Sequence, residues 1–289
     1  MDTYIGFDSA WTDNQKAPGA ICAVTMAKGR EVAFESPRLV SFDGARSAFE
    51  RLRSPGGVTL LAIDQPTIVP NATGMRPVER AAASLVSWLG GGVQPSNRTR
   101  KGMFCDAAPI WPFLASLGAV EDPEAARTAT AGHYVMEVFP ALAVASFDAG
   151  FFGRLAGPRY NPSRRRTFRL NDWVRVAEAA ARGFQRLGCA QAARWCSSTA
   201  RLPEPRKADQ DRLDAALCTL IALHWRRRPR EESILLGDLV NGYMVLPAST
   251  ELRDRIAAAA GRIGVPIDRG ASSGPERGSA RADPSPGPG

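Results

Sequence analysis

The chain opens on a short apolar run, Thr3–Asp8, that ends in a carboxylate. A second apolar stretch, Gly19–Ala27 (GAICAVTMA), reaches a turn at Lys28, Gly29 and Arg30, and Glu31–Phe34 continues outward from it. Short turns between successive strands predict an antiparallel meander. At Gly44–Arg53 the period changes. Ala45, Ala48, Phe49 and Leu52 fall on one helical face, and Ser54, Pro55, Gly56 and Gly57 end the helix. Val58–Ile63 (VTLLAI) is continuously apolar and stops at Asp64. A strand–helix–strand connection of this length closes a right-handed crossover onto a parallel neighbour. The predicted order is therefore β-β-β-α-β, an α/β mixed sheet with flanking helices.

The pattern is less regular beyond residue 64. Helices are predicted over Arg76–Leu89, Leu170–Leu187, Arg206–Arg228 and Ser249–Arg262, with shorter ones at Trp111–Leu117 and Ala141–Phe147. Tyr134–Glu137 reads as a short strand before Pro140, and Ile234–Leu236 and Tyr243–Leu246 as strands around a turn. Gly90–Gly92 is a helix stop; it lacks the Lys-Ser/Thr of a P-loop. Val93–Asp106 and Gly153–Arg169 are polar, basic loops. One domain over 1–268 is expected, with insertions around 90–132 and 150–205. The Gly, Ser, Pro and charge composition of 269–289 predicts a disordered tail.

Composition narrows the class. Hydrophobic residues make up 44% and charged residues 23%, which is globular usage. No apolar run approaches the roughly 20 residues that span a bilayer, and the opening residues lack the basic start of a signal peptide. A cytoplasmic protein without a membrane partner is expected. The five cysteines are odd in number and none is in CxxC spacing, so reduced, buried thiols are expected in place of disulfides or zinc. Formal net charge is +8, with basic clusters at Arg98–Lys101, Arg159–Arg169 and Arg226–Arg230. They read either as phosphate-binding surfaces or as a compositional taste for arginine, since lysine is scarce.

Three acids sit where apolar strands end: Asp8, Asp64 and Glu137. Ligand sites in α/β sheets gather at the carboxyl ends of strands. Asp211 and Asp214 lie three apart on the 206–228 helix, on a face shared with Ala215, Cys218, Ala222 and Trp225. A charge on such a face is costly unless paired or metal-bound. Asp211 alone also fits an ordinary network with Arg206, Lys207 or Arg212. Oxygen ligands of this kind suit two Mg2+ or Mn2+ ions, which can clamp the attacking and leaving oxygens of a phosphodiester. Arg76 is a candidate to grip a phosphate, and Lys207 to face the acids. His224 reads as structural and His133 as a lesser catalytic candidate. Trp11 is a candidate to stack on a base or sugar.

The segments IGFDSAW, AIDQP, GMRPVER, MEVFPALA, DRLDAALCTLIA and GDLVNGYMVLP, in that order, resemble the domain-of-unknown-function family 429, described as RNase H-like nucleases. The Asp-x-x-Asp-Ala of Asp211 to Ala215 is also similar to Holliday-junction resolvases. The resemblance implies an RNase H-like sheet with metal-binding acids at Asp8, Asp64, Glu137 and Asp214, Asp211 being an additional candidate. The expected function is metal-dependent hydrolysis of phosphodiester bonds in DNA or RNA. Two alternatives differ in class. An actin-like ATPase or phosphotransferase would repeat the opening unit and carry glycine-rich phosphate loops. A non-catalytic nucleic-acid-binding scaffold would keep the fold without turnover.

Overall fold

A computed structural model describes residues 1–268; the expected tail at 269–289 lies outside the described residues. Strands β1 (Asp2–Asp8), β2 (Gly19–Ala27) and β3 (Arg30–Val40) form the antiparallel meander. Helix α1 (Phe42–Leu52), capped by the Ser41 hydroxyl, returns the chain to β4 (Val58–Ile63). β4 lies parallel to β1, and β5 (Gly132–Glu137) parallel to β4. The five-stranded order β3-β2-β1-β4-β5 is the mixed α/β sheet expected, and it is compatible with an RNase H-like fold. β3 runs to Val40, beyond the expected Phe34. It is an edge strand whose residues are mostly exposed or half-buried, so its sequence carries no apolar run.

Both sheet faces are covered. On one side α1 and α3 (Ile110–Ser116) pack over an aromatic cluster in which Phe7, Phe42 and Phe113 have ring centroids 5.0–5.7 Å apart. The other side is the larger core. It takes α2 (Pro77–Trp88), α5 (Pro140–Phe147), α6 (Leu170–Arg186), α7 (Ala190–Ala200) and α8 (Lys207–Arg227). β6 (Ser233–Asp238) and β7 (Gly242–Pro247) form a separate hairpin, joined to the end of β5 through a parallel bridge between Val138 and Val245. α9 (Thr250–Arg262) closes the chain. α4 (Pro123–Thr128) and α7 were not expected. α4 is only six residues long, and the buried stripe of α7 is built of Ala192, Ala193, Cys196 and Ala200, whose small side chains give a faint periodic signal.

One glycine sets how deeply the site is seated. A Cβ on Gly6 of β1 would lie 2.1 Å from the Ala215 carbonyl oxygen and 2.3 Å from the Thr219 nitrogen. The absence of a side chain there lets the α8 backbone press onto the central strand. No described helix is long and apolar enough to cross a membrane. All five cysteines are free, and four are buried.

Candidate functional site

Phe7 of β1 and Ile63 of β4 are register partners, so the next residues, Asp8 and Asp64, leave the sheet side by side. The Asp64 amide donates to the Phe7 carbonyl at 2.9 Å, which ties the two strand ends together. α8 crosses above them, and Asp214 lies one turn before Cys218, whose sulfur packs 4.0 Å from the Phe7 carbonyl. Asp8, Asp64 and Asp214 thereby line one cavity of about 390 Å3. Asp8 and Asp214 are only 7% and 6% exposed.

The charge in this cavity is poorly compensated. Burial, then the neighbouring Asp214 and Asp64, push the Asp8 carboxyl well above its ordinary value. Burial, Asp214 and Glu137 do the same to Asp64. Burial takes Asp214 to about 6, against the downward pull of Lys207, Tyr160 and Gln210. Asp214 accepts hydrogen bonds from the Tyr160 hydroxyl at 2.9 Å and the Gln210 amide at 2.8 Å. Lys207 lines the cavity and pairs with Asp211. Burial works against its charge, but Asp211, Asp8 and Asp214 hold its pKa above the ordinary value.

Glu137 sits differently. It is level with Ile63 and not with Asp64, and its carboxylate is gripped by Arg76. Arg76 donates to Oε1 at 2.6 Å and to Oε2 at 2.8 Å, and the Thr67 amide donates to Oε2 at 3.1 Å. Its remaining donors reach Glu79 at 2.9 Å and the Ile68 carbonyl at 3.0 Å. All three side chains are buried, at 0% for Arg76, 1% for Glu79 and 2% for Glu137. Burial lifts the Glu137 carboxyl to about 7 while Arg76 pulls it down. We take the doubly bonded carboxylate to be ionised, because both its oxygens accept from a guanidinium. The expectation that Arg76 grips a phosphate is corrected: its fork is spent on two buried glutamates.

The other expected residues separate in the same way. Asp211 does not line the cavity and engages Lys207, the ordinary helix-surface pairing. His133 stands near the start of β5, at the end of the sheet away from the acids, against Phe49. His224 is held by the Glu232 carbonyl at 3.1 Å. Trp11 lines the cavity, edge-on to Phe104. Tyr160 and Gln210 were missed. Gln210 precedes Asp214 by four residues, so helical spacing alone could have found it. Tyr160 comes from the 150–205 insertion, and no local signal points to it.

The three basic clusters also divide. Arg226 pairs with Asp2, Arg228 with Glu232, and Arg230 with Glu124 and Asp268, so the 226–230 cluster latches the structure. Arg98 pairs with Asp106 and lies over Trp111. Arg159, Arg164, Arg165, Arg166 and Arg169 are the arginines of the third cluster.

The residues fit a hard divalent cation by their chemistry. The donors are carboxylate oxygens; among the described residues Lys207 partly answers the charge of Asp8 and Asp64, while Arg76, which lines the same cavity, is spent on Glu79 and Glu137. Among the described residues no three His, Cys, Asp or Glu side chains are gathered closely enough to hold an ion as they stand. Asp8, Asp64 and Asp214 are the described residues that would hold it.

A family model described as a protein of unknown function, DUF429, matches residues 6–234. No curated protein and no solved structure matches the chain.

Proposed function

The chain belongs to the DUF429 family, and from that premise we propose that it is a cytoplasmic, metal-dependent nuclease acting on phosphodiester bonds of DNA or RNA. The observation that carries this reading is the group of three carboxylates sharing one cavity, the buried Asp8 of β1 and Asp214 of α8 and the half-buried Asp64 just past the end of β4. A poorly compensated cluster of this kind destabilises the fold on its own, so it is better explained by a ligand that neutralises it than by a structural role. Free thiols at all five cysteines agree with a reducing compartment.

In this reading Asp8, Asp64 and Asp214 would hold Mg2+ or Mn2+. The bound metal would supply Lewis-acid stabilisation of a phosphoryl oxygen and lower the pKa of a bound water. Tyr160 and Gln210 orient Asp214 through its two oxygens. Arg76 fixes Glu137 beside Asp64, where Glu137 adds negative potential and keeps acceptor capacity on Oε1. Lys207 offsets the negative charge of the cavity and can face an incoming phosphate. Among the described residues the β-β-β-α-β unit occurs once, which favours this reading over an actin-like kinase or ATPase built on a repeated unit.

Calorimetric Mn2+ titration of the wild type, Asp8→Asn and Asp64→Asn tests the proposal, together with cleavage of labelled DNA and RNA. The expected result is binding by the wild type, at least tenfold weaker binding in each variant, and any cleavage reduced by orders of magnitude. Equal Mn2+ binding in all three proteins would remove the metal site.

A further inference from the structure

A second cavity, of about 180 Å3, adjoins the carboxylate cavity; Gly92, Phe139 and Gln210 line both. Its floor is the end of α2 and the Gly90–Gly92 run, and its wall is the loop carrying Arg159, Asn161, Arg164 and Thr167. This loop is held in place. Leu155 and Gly157 donate from the backbone to the Trp88 and Leu89 carbonyls at the end of α2, at 2.8 and 2.9 Å. Gly157 permits the approach, since a Cβ there would meet the Leu89 oxygen at 2.7 Å. At its far end the Arg159 amide donates to Asp172 at 2.8 Å, and the Arg169 amide to the Arg159 carbonyl at 2.8 Å.

The glycine run contributes room, not donors. The Gly90 and Gly91 amides are spent on the Ser87 and Val86 carbonyls. Gly90 has φ +88°, and a Cβ on it would fall 2.8 Å from the Arg159 guanidinium, so the glycine lets that guanidinium lie against the helix end. Neither Arg159 nor Arg164 forms a side-chain ion pair or hydrogen bond with a described residue, in contrast to Arg98, Arg226, Arg228 and Arg230. Cationic side chains without a described partner, on a braced loop, in a cavity that adjoins an acidic one, call for an anionic ligand.

Resting on the nuclease reading, we propose that this cleft is a phosphate subsite for a single strand whose neighbouring phosphate lies among Asp8, Asp64 and Asp214. Arg159 and Arg164 take the flanking phosphate, and the strand passes between the cavities beside Gly92 and Gln210. The depth of the acids selects the strand. Asp8 and Asp214 are almost wholly buried, and Trp11, Val93 and Met103 wall the same cavity. A flexible single strand can be threaded there, whereas a duplex keeps its phosphates on a rigid outer surface.

The test is binding of a fluorescent 12-nucleotide single strand, in DNA and RNA forms, with Ca2+ in place of Mg2+ or Mn2+ so that the acids are neutralised while turnover is suppressed. It uses the wild type, Arg164→Ala, the Arg159→Ala/Arg164→Ala pair, and Arg194→Ala as a control for charge on the exposed face of α7. The double variant should bind at least tenfold more weakly. The slope of log affinity against log salt should fall by about 1.4, two contacts at roughly 0.7 each for single strands. Arg164→Ala, an exposed position that does not threaten folding, should lose about half of that slope, and Arg194→Ala should match the wild type. A blunt duplex of equal length should bind at least tenfold more weakly than the single strand. An unchanged slope in the double variant overturns the cleft and leaves the nuclease reading standing, and equal binding of duplex overturns the single-strand assignment. Failure of the wild type to bind any nucleic acid overturns the nuclease reading and this subsite with it.

Discussion

Asp8 and Glu137 are both buried acids at strand ends, yet their charges are answered in different ways. Glu137 has a guanidinium on both oxygens, whereas the strongest charges acting on Asp8 are those of Asp214 and Asp64. Opposite mutational signs follow. Asp8→Asn keeps the shape and removes one of three repelling charges, so the metal-free variant should be more stable than the wild type at neutral pH. Differential scanning calorimetry in chelator reads this as a Tm rise of roughly 2–4 °C per kcal/mol for a domain of this size; a fall would mean that Asp8 has a structural partner. Arg76→Met should do the reverse. It strands Glu79 and Glu137 without their cation, and breaking a buried pair in this way costs about 3–5 kcal/mol. Adding Glu79→Gln and Glu137→Gln to Arg76→Met should recover stability if the loss comes from unpaired charge; urea unfolding of the two variants decides between charge and packing.

At the scale of elements, the site exists because α8 lies close on β1. The sheet supplies Asp8 and Asp64 as neighbours through strand register, but Asp214 belongs to a helix more than 140 residues later in the chain. Gly6 controls that approach. Gly6→Ala would place a methyl group against the α8 backbone at 2.1–2.3 Å, where the obstacle is the main chain and not a flexible side chain. Overpacking of this kind costs typically 1–3 kcal/mol, occasionally more. The expected outcome is a lower Tm together with weaker Mn2+ binding, since lifting α8 moves Asp214 away from Asp8 and Asp64. A variant that loses stability but keeps wild-type Mn2+ affinity would show that the acids assemble without this contact.

For the whole molecule, the raised carboxyl pKa values set the pH dependence. A carboxyl whose folded pKa lies above its unfolded value makes the folded state bind more protons, so stability falls as pH rises across that interval. For Asp214 the interval runs from the ordinary Asp value to about 6, and for Asp8 and Asp64 it also extends upward. The Tm advantage of metal-free Asp8→Asn over the wild type should therefore be full above this window and shrink as pH falls through it. Stabilisation of the wild type by Mn2+ should fade over the same range, because protons compete for the same oxygens. Thermal melts between pH 4 and pH 8, with and without Mn2+, check both, and a Tm difference independent of pH would separate the acids from the stability of the fold. His224 acts in the opposite sense. Burial lowers it to about 4, so its contribution is lost on acidification and is common to both proteins.

The sequence by itself determined the sheet and its acidic edge. Apolar strands ending at Asp8 and Asp64, joined by a crossover of legible length, put both carboxylates at strand ends, because strand alternation and crossover handedness are local rules; that they are neighbours follows from the pairing of β4 with β1. The apolar face of the 206–228 helix likewise marked Asp214 as a charge in need of a partner. What the partners are was decided only in three dimensions. Arg76 and Glu137 are 61 positions apart and Tyr160 and Asp214 are 54 apart, and nothing periodic connects them. The same holds for the basic clusters, which look alike as strings of arginine. Arg226–Arg230 meets Asp2, Glu124 and Glu232, while Arg159 and Arg164 face a cleft. A side chain's own chemistry is written in the sequence, but whether its charge is spent on the fold or left for a ligand depends on which distant groups the packing brings against it.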